Sequence, residues 1–219
     1  MPTLSCATWN LRVGRKPLKV AVEVDALLTR HDLDELTVQE AAAYIPAIRR
    51  RLKGRYVVAT GIGTAGRDSA VISRKTLPRK RRRIHRLSRQ GWERKAGRPG
   101  LHHERKMVSQ IVAGIRFGAP HLPPPAGLRQ PMRAAATHAS WAKLHMLAAR
   151  WMGTPWVMAG DWNARPDSPA ALSLEVAADA QIKGSAIDWV MSHDVKVTNV
   201  RRIEHGSGDH RPVLFEVTR

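Results

Sequence analysis

Apolar runs of β-strand length recur from one end of this chain to the other, and most of them stop or start at a lone polar residue. Asn10 closes "TLSCATWN", Glu40 closes "DELTVQE", and His121 follows "KMVSQIVAGIRFGAP". Asp161 closes "WVMAGD", with Asn163 two residues on; Asp188 lies within "AIDWVMSH"; and Asp209 with His210 precedes "RPVLFEVT". A chain built this way has to lay its strands side by side. Polar residues far apart in sequence then meet along one rim, the usual place for a site in an open sheet.

Between these runs the period changes. "LKVAVEVDALLTRH" and "AAYIPAIRRRLK" carry apolar residues at helical spacing, as does the stretch from Met132 to Met152, in which Trp141 and Trp151 read as core, as does Trp156 just after it. Strand and helix alternate, so the chain reads as α/β, and alternation alone would suggest a parallel sheet. With 219 residues and 43% apolar content it is long enough for one sizeable core and short for two, which predicts a single domain over residues 1–219.

Charge narrows the partners. Lys and Arg number 37 against 18 Asp and Glu, a formal net charge of +19 that repels itself unless a polyanion is bound, which points to nucleic acid. Residues 79–106 hold 12 of those cations against Glu93 and Glu104 alone. So many like charges oppose packing, and the segment at about 78–106 reads as an inserted basic loop or ragged hairpin. Within it Arg79, Lys80, Arg81, Arg82 and Arg83 are unbroken and suit backbone phosphates, and Trp92, an aromatic among cations, suits stacking on a base. Four carboxylates, Glu40, Asp161, Asp188 and Asp209, nevertheless collect at strand ends. An acidic pocket in a basic surface suits a divalent cation with oxygen ligands and cationic walls that draw in phosphate.

A single cysteine, Cys6, excludes an internal disulfide and sits in a strand-like run, where a buried, inert thiol fits a reducing compartment. No apolar run approaches the roughly 18 residues a membrane span needs, and the start "MPTLSCATWN" lacks the marks of a signal peptide. The expectation is a cytoplasmic monomer with no membrane partner.

"TWNLR", "VQEA", "HLP", "GDWNARPDS", "IDWV" and "GSGDHRPV" occur in the order seen in the endonuclease/exonuclease/phosphatase superfamily, which the chain resembles from Thr8 to Val213. That superfamily includes pancreatic deoxyribonuclease, abasic-site endonucleases, sphingomyelinases and inositol polyphosphate 5-phosphatases. The resemblance implies a four-layer α/β sandwich, two face-to-face, mainly antiparallel sheets flanked by helices, in place of a parallel sheet. It also implies metal-dependent phosphoester hydrolysis. Trp162 stands where the family usually has Phe, and before His121 the family has two strands where this chain reads as one.

The resemblance also implies roles. Glu40 matches a ligand for Mg²⁺ or Mn²⁺, and Asp209 completes the metal shell. Asp161 matches the residue that orients and deprotonates the attacking water, and Asn163 fixes it or donates to phosphate. His210 matches an imidazole on the scissile phosphate with Asp188 as its orienting partner, His121 a second phosphate contact, and Asn10 a donor to phosphate or to a carboxylate. Arg12, a nucleic-acid contact, favours the deoxyribonuclease-like branch, since abasic-site enzymes usually have an acidic residue there. The function expected is a metal-dependent nuclease acting on DNA in preference to RNA and leaving 5′-phosphate and 3′-hydroxyl ends. A same-fold phosphoesterase for a phosphoinositide, sphingolipid or small ester is one alternative, and a non-catalytic basic protein that coats nucleic acid is another.

Overall fold

The computed structural model describes residues 3–61, 68–88, 91–95, 98–102, 105–123, 131–185, 187–206 and 210–219, with backbone alone at 91–95, 98–102, 131–134 and 185. Two six-stranded sheets lie face to face. The first runs in the order β13 (Lys196–Arg202), β14 (Val213–Thr218), β1 (Leu4–Asn10), β2 (Glu35–Gln39), β4 (Ser69–Arg74), β3 (Tyr56–Thr60). The second runs β11 (Gln181–Ser185), β12 (Asp188–His193), β10 (Trp156–Asp161), β9 (Ile115–Ala119), β8 (Lys106–Val112), β5 (Arg79–Arg86). Only β1 with β2 and β10 with β9 pair in parallel; every other neighbouring pair is antiparallel. A separate hairpin joins β6 (Gly91–Lys95) to β7 (Arg98–His102).

The strand period sorts side chains onto the two faces of each sheet. Cys6, Val71, Phe117, Val157, Ala159, Val190 and Phe215 point inward and form the layer between the sheets. The outer face of the first sheet takes α1 (Pro17–Arg30) and α2 (Ile45–Leu52). In α1, Val20, Ala21, Val24, Leu27 and Leu28 are buried, the spacing of one helical face, and each large side chain so covered contributes about 2 kcal/mol. The outer face of the second sheet takes α3 (Pro131–Trp151) and α4 (Pro169–Ala177) over a Trp-rich layer. Trp162 stacks on Trp189 with ring centroids 4.0 Å apart and donates its Nε1–H to the Trp189 carbonyl, so this aromatic is core, and so are Trp141, Trp151 and Trp156. Cys6 is fully buried, which pushes its thiol well above the usual pKa.

Two stretches differ from the sequence reading. The run before His121 is a hairpin of two strands, β8 and β9, closed by Ala113 and Gly114, whose φ values of 50° and 84° are the left-handed pair of a tight hairpin turn. Ala at the first of those positions is an unusual turn residue, and it hid the break in an otherwise continuous apolar run. Residues 79–86, read as part of a basic loop or ragged hairpin, form the edge strand β5 paired with β8, with a bulge between Lys80 and Arg83, and the β6–β7 hairpin follows within the same segment. An edge strand leaves one row of backbone groups unpaired and open to water, and a run of cations along it discourages pairing with other chains.

Candidate functional site

The register places two rows of polar residues opposite one another. In the first sheet Asn10 is level with Gln39, and Gln39 with Ser69, so Glu40 and Asp68 lie just past those strand ends. In the second sheet Asp161 is level with Asp188 on one side and bridges His121 on the other. The rows meet where Asn10 Nδ2 donates to Asp161 Oδ2 at 2.8 Å and lies 3.4 Å from Glu40 Oε1.

Local backbone geometry aims these side chains. Arg12, Glu40 and Asn163 have φ values of 55°, 53° and 48°, left-handed conformations that a non-glycine residue adopts at a cost and that collect at working sites. Hydrogen bonds hold them: the Arg12 amide donates to Asn10 Oδ1, the Val13 amide to Glu40 Oε2 at 2.7 Å, and the Asn163 amide to Asp161 Oδ1 at 2.9 Å. Asn163 Nδ2 donates to the Leu122 carbonyl, tying the bend after β10 to the loop that carries His121. Ahead of Asp161, a Cβ on Gly160 would sit 2.1 Å from the Pro120 carbonyl oxygen, so only glycine lets the two chains approach here.

Two carboxylate–imidazole pairs flank Asp161. His210 Nδ1 lies 3.0 Å from Asp188 Oδ2, and the His210 carbonyl is pinned by Trp9 Nε1–H at 3.1 Å. On the other side His121 Nδ1 lies 2.7 Å from Asp68 Oδ2, and Arg105 Nη1 donates to the same oxygen at 3.2 Å. With Nδ1 engaged by Asp68, Nε2 of His121 faces Asp161 Oδ2 at 3.7 Å and Glu40 Oε1 at 3.9 Å. Burial alone would raise the Asp68 carboxyl, yet the charge and hydrogen bond of His121, with Arg105, bring it down to about 2. Burial pushes Asp161 above the ordinary aspartate value and nearby Asp188 adds to it; His121 and the hydrogen bonds from Asn10 and Asn163 oppose both.

The donor set suits a hard divalent cation. Glu40 and Asp161 offer carboxylate oxygens on either side of Asn10, and Asp188 Oδ1 is buried with no hydrogen-bond partner among the described residues. Among the described residues, ligand atoms of Asp161, Asp188 and His210 also fall within 4.8 Å of one another. Imidazole is a softer donor than carboxylate, so for a hard divalent cation the carboxylates are the better ligands.

The structure thus brings together Asn10, Glu40, His121, Asp161, Asn163, Asp188 and His210, with Arg12 beside them. Asp209 and the Trp92 side chain lie outside the described residues. The run 79–83 lies apart on β5 and is divided in its duties: Arg79 Nη1 sits 2.8 to 2.9 Å from the carbonyls of Arg74, Lys75 and Leu77 and fastens a turn, while Lys80, Arg81, Arg82 and Arg83 are exposed. Sequence reasoning missed Asp68, Arg105 and Arg202, whose Nη2 is 3.7 Å from Asp188 Oδ2. Asp68 had one signal, an acid standing directly before the apolar run "SAVISR".

The architecture is that of the deoxyribonuclease-I-like α/β sandwich, two mixed sheets with helices outside and a polar rim at the strand ends. More particularly, residues 7–210 match the model of the endonuclease/exonuclease/phosphatase family, and the chain belongs to that family. Similar solved structures include a humanized form of D. rerio TDP2 carrying 14 mutations, with a TM-score of 0.71, 14% identity and 99% of each chain covered. The human Nocturnin catalytic domain with bound sulfate also gives 0.71, at 12% identity, covering 99% of this chain and 94% of that one. A mannosyl-6-phosphatase of Bacteroides thetaiotaomicron gives 0.65, at 15% identity, covering 99% and 100%. At such identities the likeness concerns the fold. Comparison with curated protein sequences finds no match.

Proposed function

We propose that the protein is a metal-dependent phosphodiesterase that hydrolyses the backbone of nucleic acid, DNA in preference to RNA. One observation carries the reading: two carboxylate–imidazole pairs flank a buried Asp161 on a rim of carboxylates, in a chain whose net charge is +19. Asp161, held by Asn10 and the Asn163 amide, aligns a water molecule and takes its proton as the oxygen attacks phosphorus. His210, oriented by Asp188, and His121, oriented by Asp68, each direct the remaining ring nitrogen at phosphate oxygens and stabilise charge in the transition state. Glu40, with water, would hold Mg²⁺ or Mn²⁺, which when bound offsets negative charge on the phosphate and the leaving oxygen. Departure of the 3′ oxygen leaves a 3′-hydroxyl and a 5′-phosphate. A reducing, cytoplasmic setting suits the lone thiol of Cys6.

The test is incubation of supercoiled plasmid, linear duplex, single-stranded DNA, RNA, a phosphoinositide and a sugar phosphate, each with Mg²⁺, Mn²⁺ or excess chelator. Nicking of closed circles in Mg²⁺ or Mn²⁺ and its loss in chelator are expected. Turnover of the small esters with all polynucleotides intact would instead assign a phosphoesterase.

A further inference from the structure

On the outer face of the second sheet, well away from the rim, cations converge on elements that carry no acid. Strands β5, β8 and β9 and helix α3 together hold 11 Lys and Arg and not one Asp or Glu. Arg116, at the start of β9, is 8% exposed, and its Nε and Nη1 are buried without an acceptor among the described residues. Its guanidinium lies over the Trp151 ring, 5.1 Å from the centroid. His85 of β5 meets the same ring edge-on at 5.6 Å and bonds Ser109 Oγ through Nε2. Arg83 is level with Ser109 and Arg116 with Ile111, so both cations share the face that α3 covers. Lys143 and Arg150 stand two turns apart on that helix, on the face of Leu147 and Trp151. The charges sense one another: burial and then Arg116, Arg83, Lys143 and Arg150 depress His85 to about 4, and burial with Arg83 and Arg81 lowers Arg116. Two buried guanidinium nitrogens without an acceptor are a rare arrangement unless an anion completes it.

We infer that Arg83, Arg116, Lys143 and Arg150, gathered around Trp151, form a second phosphate-binding site on the outer face of this sheet. The ligand is a tetrahedral oxyanion, from a polynucleotide backbone or free in solution. Its distance from the rim makes it independent of the hydrolytic chemistry: Arg116 is level with Trp156, and Asp161 lies five residues further along β10, about 16 Å away. A polynucleotide that reached both places would be anchored several phosphates from the one attacked.

The experiment compares the wild type with Lys143→Ser/Arg150→Ser, both exposed or partly exposed on α3, and with Arg116→Gln, which removes the charge and keeps a polar side chain. In chelator, titration with a fluorescent duplex should show affinity lowered about tenfold in the double variant. The slope of log K against log salt should become shallower by about 2, at 0.9 for each phosphate no longer neutralised. Inorganic phosphate should raise the melting temperature of the wild type and raise it less in either variant. Loss of both effects assigns a backbone phosphate; loss of the phosphate effect alone assigns a free oxyanion. Unchanged duplex affinity together with an unchanged phosphate effect would overturn the site. Hydrolysis of a small chromogenic phosphodiester, followed in parallel, reports on the rim alone, so a failure of the catalytic reading would leave this result standing.

Discussion

At the scale of single residues, Asp161 is the most constrained group on the rim. Its Oδ2 faces Asn10 and its Oδ1 the Asn163 amide, while burial raises it and His121 opposes that rise. Asp161→Asn keeps the size and the shape but cannot take a proton, so phosphodiester turnover should fall by about 10² to 10⁴ while melting temperature and duplex affinity in chelator stay near wild type. Near wild-type turnover in the purified variant would remove Asp161 from the chemistry. Asp68 acts one step back, through His121, and Asp68→Asn should lower turnover by about tenfold to a hundredfold. Because Asp68→Asn removes a negative charge that faces the His121 ring, the variant should also shift the pH profile, a change that a purely structural role would not produce. Gly160 sets the position of Asp161 by having no side chain. Gly160→Ala would drive a Cβ into the Pro120 carbonyl oxygen at 2.1 Å, and a loss of about 2 kcal/mol or more in urea unfolding, with turnover reduced, is expected. Unchanged stability would show that the two chains can move apart.

At the scale of elements, the strands whose ends carry chemistry were the most legible in the sequence. A half-buried strand bounded by a polar residue combines two signals, an apolar run and a polar group at its limit, and Asn10, Glu40, Asp161 and Asp188 all stand at such limits. What stayed hidden was context supplied by other elements. β5 has the composition of a loop and is a strand because β8 offers it a ladder of partners. Asp68 acquires meaning only when β4 carries it next to a histidine 53 positions away. The surroundings of His85 were equally invisible and have a measurable consequence. His85 is depressed from its ordinary 6.5 to about 4, by burial first and then by Arg116, Arg83, Lys143 and Arg150. The unfolded chain therefore takes up a proton before the folded one does. Stability is complete above about pH 6.5, declines as pH falls, and levels off below about 4. A fully buried ring would lose about 3 kcal/mol over that window, and partial exposure to solvent trims the figure to about 1 to 2 kcal/mol. Urea unfolding of wild type and His85→Gln at pH 7 and pH 4.5 checks this: the variant should lose less, and equal losses would show that His85 does not titrate as its neighbours dictate.

At the scale of the whole molecule, a net charge of +19 means that the compact state repels itself, so a bound polyanion should both hold it together and concentrate substrate at the rim. Ionic strength separates the two readings of the active site. A polynucleotide spread over the rim and the basic face displaces a counterion for each phosphate neutralised, whereas a small ester meets the rim alone. For about five phosphates neutralised, raising salt fourfold lowers duplex affinity by about 500-fold, at 0.9 logarithmic units for each. Below saturation, kcat/KM on a duplex should therefore fall by hundreds over that range while kcat/KM on a small chromogenic diester changes only a fewfold. The ratio of the two is the informative quantity, because any general effect of salt on fold or metal affinity cancels from it. A constant ratio would mean that the cations on β5 and α3 take no part in holding substrate. The charge on the edge strand would then be read as protection against association with other chains, and the rim as a site for small phosphate esters.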